Sequence, residues 1–514
     1  MSEELKGKDG IFIPLLLLLL AVITRVPFTS KLLYHMDSVQ FALALDKYNI
    51  TVHQPHPPGY FLYVMLGRLL NLFIKDANTV FVFISVIFSG LAIVAIYYLG
   101  KELYDRKTGL LAAAVALTSP NLWFHGEVAL SYIAEAFFST AVAFLCWRTY
   151  KGEHKYIWLS VITLGIAGGI RQNTMVFLLP LWLFCVKAAP IRKVIASLLL
   201  LALVCLLWFV PMVCMTGGWN AYQEALRELW LFNTGHVSVF EKGWASFKIF
   251  SSTLFNFTIY GIGAGVLILG LATYSMIRHG RLKSLDRTKV LFFSLWILPS
   301  VFFYLMIFIH PANPGYVLIF LPALFILTAA SIGYISAELK QVVKKDIYAL
   351  IASAIIIINM GIFFLSKYPV SYGEIRTHDR DLSIMLAGIK TFDPLKTAIF
   401  VGPYISYGYR QIMYYLHEYR VYQVDVRVVP TGEVRKTFWG FNRETFLTDE
   451  VELPQNVDNF LTILIADDRN KVTGIEGLSI KNLQFTNIYI VSGHIFLIKD
   501  IYPELRLYNH GVTR

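Results

Sequence analysis

Cysteine is nearly absent, with four residues in a chain of 514 (Cys146, Cys185, Cys205 and Cys214), each within or at the end of an apolar run. That scarcity excludes a disulfide framework and a Cys-x-x-Cys metal site, and it leaves the redox compartment open. Charge is scarce as well. Only 15% of residues are Asp, Glu, Lys or Arg, against 56% hydrophobic and 15% aromatic, far from the quarter-charged makeup of a soluble domain. The chain has no GxxxxGK loop for a nucleotide and no HExxH helix for zinc. Internal repeats and low-complexity linkers are missing too. No small-residue cleavage site follows the first apolar run, IFIPLLLLLLAVITRVPF, so it reads as a retained helix rather than a signal peptide.

What the chain does have is apolar runs. A helix needs about 20 mostly apolar residues to cross the hydrocarbon, and by that measure the sequence carries about eleven spans. They fall near residues 10–27, 78–99, 108–124, 130–148, 156–170, 173–188, 194–214, 250–277, 289–309, 314–335 and 346–365. This is a polytopic α-helical membrane protein. Its net charge of +11 sits in short loops between the runs, which speaks for membrane orientation and against a nucleic-acid partner. With a cytoplasmic N-terminus the inner loops are KELYDRK, RTYKGEHK, KAAPIRK, RHGRLKSLDRTK and ELKQVVKK, all rich in Lys and Arg. Merging the fifth and sixth spans, separated only by Arg171-Gln172-Asn173, would put the most basic loop outside, so the odd count stands. Residues 28–77, residues 215–249 and everything past about 366 then face the outside. Residues 1–365 are expected to form a transmembrane domain. In residues 366–514 charge density rises and the runs TAIFVGP, VYQVDVRVVP, FLTILIAD and TNIYIVSGHIFLIKD alternate with turn residues, as in a small extracytoplasmic α/β domain.

The first outer loop, YHMDSVQFALALDKYNITVHQPHPPGY, is unusually polar. Asp37 before SVQFALAL reads as a helix N-cap, HQPHPPGY as a proline-stiffened turn, and YFLYVMLGRLLNLFIKD as an interfacial helix with Arg68 and Lys75 reaching for headgroups. Those roles require no function. Yet the outer ends of other helices carry groups of the same kind: HGEVALSYIAE (His125, Glu127, Tyr132, Glu135), IRQN (Arg171, Gln172), NTGH (His236) and HPANPGY (His310, Tyr316). Ionisable groups gathered at one membrane face usually line a polar cavity. A carboxylate there can act as general base on an acceptor hydroxyl, while Arg and His stabilise a phosphate leaving group. Without a nucleotide loop, the donor would be a lipid phosphate. Plain alternatives stand beside this: Arg171 as a headgroup anchor, Glu127 as a cap on the fourth span, Glu135 as a buried structural carboxylate, and the histidines as turn residues. Tyr60, Tyr63, Trp219, Trp230 and Trp244 fit an interface belt.

A long first outer loop with an aspartate opening a helix, a Pro-Pro turn into an interfacial helix, a carboxylate between spans three and four, and an odd span count before an outer domain together resemble the GT-C glycosyltransferases. The nearest branches are the protein O-mannosyltransferases and the ArnT-like aminoarabinose transferases. The resemblance covers roughly residues 1–365 and implies the GT-C fold in a multi-pass cell-membrane protein. It also implies an inverting enzyme that moves a sugar from a polyprenyl-phosphate carrier in the membrane lipid to a hydroxyl of a protein, lipid or glycan acceptor outside the cytoplasm. The family's base falls on Asp37, although the Asp-Glu pair common in relatives is here Asp37-Ser38. Glu127 matches the second outer-loop carboxylate, and a divalent metal joining it to Asp37 stays open. His56 stands where relatives place a lysine before Pro-Pro, which shifts phosphate stabilisation onto Arg171. Tyr316 with Pro322 matches a tyrosine-before-proline pattern set against the carrier phosphate. His35, His53, Glu135, His236 and His310 are further candidates. The rival reading is a transporter or flippase for a lipid-linked sugar; it would place ionisable groups near the midplane of two related halves.

Overall fold

The structure is a computed structural model that describes residues 3–230, 237–402, 404–428, 434–439, 450–453, 456–465, 479–483, 486–493 and 506–509. Its helices are α1 (Glu3–Arg25), α2 (Met36–Asp46), α3 (Phe61–Asn71), α4 (Ala77–Leu103), α5 (Arg106–Thr118), α6 (Pro120–His125), α7 (Tyr132–Tyr150), α8 (Tyr156–Ile170), α9 (Gln172–Val186) and α10 (Ile191–Met215). They continue as α11 (Trp219–Leu229), α12 (Val239–Lys242), α13 (Trp244–Ile262), α14 (Gly265–Arg278), α15 (Arg287–Met306), α16 (Leu321–Val343), α17 (Tyr348–Leu365), α18 (Tyr372–Ile389) and α19 (Tyr409–Tyr415). Two compact units result. One comprises Met1–Thr29, Tyr60–Cys214 and Asn233–Glu374; the other comprises Ser30–Gly59, Met215–Phe232 and Ile375–Arg514.

The first unit is the membrane-spanning one. Among the described residues six helices are long and apolar enough to cross a bilayer: α1, α4, α10, α15, α16 and α17. The expected span over 250–277 is instead two helices, α13 and α14, bent by 102°. Gly263 between them has φ 59°, and the Asn359 side chain accepts a hydrogen bond from the Ala264 amide at 2.9 Å. A glycine that can turn left-handed, with a polar side chain on the exposed amide, lets the chain break inside the apolar region at little cost. The expected span over 108–124 also breaks, into α5 and α6, because Ser119 before Pro120 is held extended (ψ 123°) and its hydroxyl caps α6 on the Leu122 amide. α7, α8 and α9 are helices as expected but fall short in length or hydropathy, and the span expected from residue 314 begins as a helix only at Leu321, after a 3₁₀ turn over Pro314–Ile319.

Small residues set the closest helix packing. A Cβ added at Gly109 of α5 would lie 2.5 Å from the Tyr97 carbonyl oxygen and 2.8 Å from the Lys101 amide of α4. Backbone cannot yield as a side-chain tip can, so Gly109→Ala is expected to destabilise the protein by about 1–3 kcal/mol, read as a lowered unfolding midpoint in detergent.

In the second unit the strands are β1 (Thr397–Val401), β2 (Arg420–Val428), β3 (Val434–Trp439), β4 (Glu450–Leu453), β5 (Asn459–Ile465), β6 (Ser479–Asn482), β7 (Ile488–Gly493) and β8 (Arg506–Asn509). Six form a mixed sheet in the order β3-β2-β1-β5-β7-β6, and β4 pairs in parallel with β8. The core strand β1 is parallel to both neighbours, with Ile399 opposite Val421 and Leu461. All five β1 side chains are buried, and a central parallel strand covered on both faces reads as such an unbroken apolar run.

The same unit holds residues 30–59. The Asp379 carboxylate accepts hydrogen bonds from the Ser30 hydroxyl (2.9 Å) and from the amides of Lys31 (2.9 Å) and Leu32 (3.2 Å). Burial raises its pKa, but His378, the Lys31 amide, the Ser30 hydroxyl and the Arg376 charge outweigh that and hold it below the ordinary carboxylate value. A carboxyl with a depressed folded pKa contributes stability above its unfolded value, about 3.9, and loses it as pH falls through the folded one. Hydrogen-exchange protection of the Lys31 and Leu32 amides is therefore expected to persist down to about pH 4 and to fall away below it.

Candidate active site

Asp37 lies in the first turn of α2, but it is not the cap. His35 is: its Nδ1 accepts the Asp37 amide at 3.0 Å, and the Ser38 hydroxyl accepts the His35 amide at 3.3 Å. A nitrogen that accepts an amide hydrogen carries none itself. The His35 ring is therefore neutral, and its 3.5 Å separation from Asp37 Oδ2 is not a charge pair. The Asp37 carboxylate is thus spared capping, stands among first-turn amides that favour negative charge, and is 8% exposed. On its other side His56 Nδ1 lies 3.6 Å from Asp37 Oδ1 and 2.7 Å from Gln40 Oε1. The bond goes to Gln40, so Nδ1 carries the hydrogen. The remaining nitrogen of a neutral His56 is then an acceptor, and donation to a phosphate requires a second proton. The turn around His56 thus brings it beside the carboxylate. His53 is a left-handed residue at φ 53°.

The first unit gathers a second group. Arg171 occupies the break between α8 and α9 with extended backbone (φ −149°, ψ 114°). The anchor reading fails, for its side chain is 4% exposed and points into protein. Its guanidinium lies over the faces of Tyr132 (4.1 Å to the ring centre) and Tyr60 (5.3 Å). Nη1 donates to the Ser131 hydroxyl at 3.0 Å, and Nε lies 3.3 Å from Glu135 Oε2. That second contact is an ion pair without an aligned hydrogen bond. Glu135 is fixed in turn by the Thr174 hydroxyl, which donates to Oε1 at 2.7 Å. Tyr316 closes the cage, its ring 5.5 Å from Tyr132 and 5.4 Å from Tyr304. Among the described residues Arg171 Nη2 makes no hydrogen bond. The arrangement is a cation whose plane is set by aromatic faces and one carboxylate, with one edge left over.

Glu127 belongs to a different neighbourhood of the same unit. It is fully buried, and Trp123 Nε1 donates to its Oε1 at 2.7 Å. Ser131, not Glu127, precedes α7, so the cap reading fails here too. Arg25, at the end of α1, stacks on Trp123 (4.5 Å) and donates to the Leu117 carbonyl at 2.7 Å. His310 Nδ1 accepts the Ala312 amide at 3.2 Å, a turn role. His236 lies outside the described residues. Among the described residues no group of three or more His, Cys, Asp or Glu side chains is placed to hold a metal ion.

Sequence reasoning missed Arg25, which looks like an ordinary basic end to a greasy helix. It also set Tyr60 and Tyr63 in an interface belt, whereas both are buried, Tyr63 stacked on Phe81 at 5.1 Å. Trp219, Trp230 and Trp244 are more than half exposed, as a belt demands.

Residues 55–214 match the family model for dolichyl-phosphate-mannose-protein mannosyltransferase. No curated protein matches the sequence. Among solved structures the chain is similar to ArnT from Cupriavidus metallidurans bound to undecaprenyl phosphate, at TM-score 0.54 and 10% identity over 96% of this chain and 99% of that one. The apo state of the same protein gives TM-score 0.51 and 12% identity over the same shares. The archaeal oligosaccharyltransferase AglB from Archaeoglobus fulgidus, in complex with an inhibitory peptide and a dolichol-phosphate, matches at 0.46 and 12% over 80% of this chain and 64% of that one, too distant to weigh. The chain thus shares the fold of ArnT, and residues 55–214 resemble the protein mannosyltransferases. The protein is a multi-pass membrane protein.

Proposed function

We propose that this chain transfers a sugar from a polyprenyl-phosphate carrier to an acceptor hydroxyl on the extracytoplasmic side, with inversion at the anomeric carbon. The observation that carries the reading is the caged Arg171, a buried cation whose Nη2 makes no hydrogen bond among the described residues, inside the segment that matches a lipid-phosphate-dependent mannosyltransferase model. The ArnT relative's undecaprenyl phosphate supports the same donor class. Asp37 removes the proton of the acceptor hydroxyl, whose oxygen then attacks the anomeric carbon as the bond to the phosphate oxygen breaks. Arg171 Nη2, with Tyr316 beside it, takes up the charge on the departing lipid phosphate, and Glu135 keeps the guanidinium oriented. His56 assists the phosphate only in its protonated form; neutral, it serves Asp37 as a neighbour. A phosphate is a good leaving group, so positioning and electrostatic stabilisation supply most of the acceleration. The basic loops support a cytoplasmic N-terminus and a C-terminal unit outside.

The test is a mass-spectrometric comparison of cell-envelope glycans, and of membrane lipids, with and without the chain. The expected result is loss of one sugar modification with accumulation of its lipid-phosphate donor. Unchanged glycans and unchanged donor would remove the transferase reading.

A further inference from the structure

The sheet of the second unit offers a place where α/β domains ordinarily bind ligands. β1 has parallel neighbours on both sides, β2 reached through α19 and β5 reached later in the chain. The strand order therefore reverses at the carboxyl end of β1, and crevices at such switch points are the usual ligand sites of open parallel sheets. Here the segment leaving β1 is engaged by the chain itself. Tyr407 stacks on His378 (5.4 Å, 26°), and the Tyr34 ring lies 4.6 Å from the same imidazole. The Leu33 amide donates to the Tyr415 hydroxyl at 2.8 Å. Arg410, 1% exposed, donates through Nη2 to the Val52 carbonyl at 3.0 Å. On the same side Asp379 binds Ser30, Lys31 and Leu32. Residues 30–34 and Val52 flank α2, and Asp37 stands five positions after Leu32.

We propose that the C-terminal unit is a positioning clamp for the base: Asp379 and Tyr415 hold the chain before α2, Arg410 holds it after, and together they fix where the Asp37 carboxylate points. The proposal rests on the assignment of Asp37 as base. The outer tail then takes no separate ligand at its switch point; the loop of its own chain fills that place. Asp379, Tyr415 and Arg410 touch no reacting atom. They act through α2, and a loosened loop costs rate because a displacement of about 1 Å at a reacting group can cost on the order of 10²-fold.

The experiment uses the full chain in nanodiscs, wild type against Asp379→Asn and Tyr415→Phe, with the lipid extract of a deletion strain as donor. Hydrogen exchange is followed by mass spectrometry in peptides covering 30–39, and transfer is followed as rate against lipid concentration. In both variants exchange at 30–39 is expected to rise about tenfold while α4 and α7 keep their protection. The maximal rate is expected to fall about 10–100-fold with the half-saturating lipid concentration unchanged. Unchanged exchange overturns the clamp, and so does raised exchange with an unchanged maximal rate. Should Asp379→Asn not fold, Tyr415→Phe, which removes a single oxygen, decides alone. Asp37→Asn in the same assay reads the base assignment separately, since full activity there sinks that assignment whatever the exchange data say.

Discussion

Asp37→Asn is expected to lower glycosyl transfer by about 10²–10⁴-fold, the contribution of a positioned general base, while the protein still folds and reaches the membrane. The substitution is nearly isosteric. The helix is capped by His35 Nδ1 and the Ser38 hydroxyl rather than by the Asp37 side chain, so α2 keeps its first turn when the carboxylate becomes an amide. An Asn cannot accept the acceptor proton, and neither imidazole Nδ1 beside it replaces the carboxylate. His35 Nδ1 is engaged by an amide, and His56 Nδ1 carries a hydrogen that goes to Gln40. The measurement is initial transfer rate in proteoliposomes at matched protein level. A variant with wild-type rate would show that the proton leaves by another route.

Arg171→Ala is expected to destabilise the first unit by about 3–5 kcal/mol, because it strands the Glu135 carboxylate in an interior where its remaining bond is from Thr174. Transfer should be lost as well, since the caged cation is the proposed partner of the leaving phosphate. Stability and activity separate in a cycle. Adding Glu135→Gln to Arg171→Ala removes the stranded charge and should recover part of the stability, with a coupling of about 0.5–3 kcal/mol, but none of the activity. Glu135→Gln alone keeps the cation and loses its orienting partner, so rate should fall further than stability. Unfolding midpoints in detergent and transfer rates on the four proteins supply the cycle. Strictly additive midpoints would mean that the 3.3 Å contact carries no energy.

The sequence made the membrane class and most helix positions legible, because apolar length and basic loops are local signals. It also singled out Asp37, Arg171 and Glu135, since ionisable residues are conspicuous among so many apolar ones. What it hid was partnership. Nothing in HMDS says that the histidine two places earlier caps the helix and spares the aspartate, because capping by an imidazole has no pattern of its own. The bend at Gly263 depends on Asn359, nearly a hundred residues away, so a window of hydropathy reads straight through it. Tyr60 and Tyr63 look like belt residues because burial is decided by α4 and α8, not by their neighbours in the chain. Of the tail's strands, β3, β4, β6 and β8 went unread, while the runs of β1, β2, β5 and β7 were readable one by one. Their order, with β1 between β2 and β5, was not, and that order leaves Tyr415 of α19, after β1, to grip Leu33.

The most direct measurement gives the purified full chain, in proteoliposomes, a donor lipid radiolabelled in its sugar, together with an acceptor fraction from the deletion strain, and follows both label and lipid. The account predicts one free polyprenyl phosphate for each sugar that appears on the acceptor, with the anomeric configuration inverted. Labelled lipid that crosses the bilayer intact, with no lipid phosphate released, would contradict it and make the protein a carrier of lipid-linked sugar.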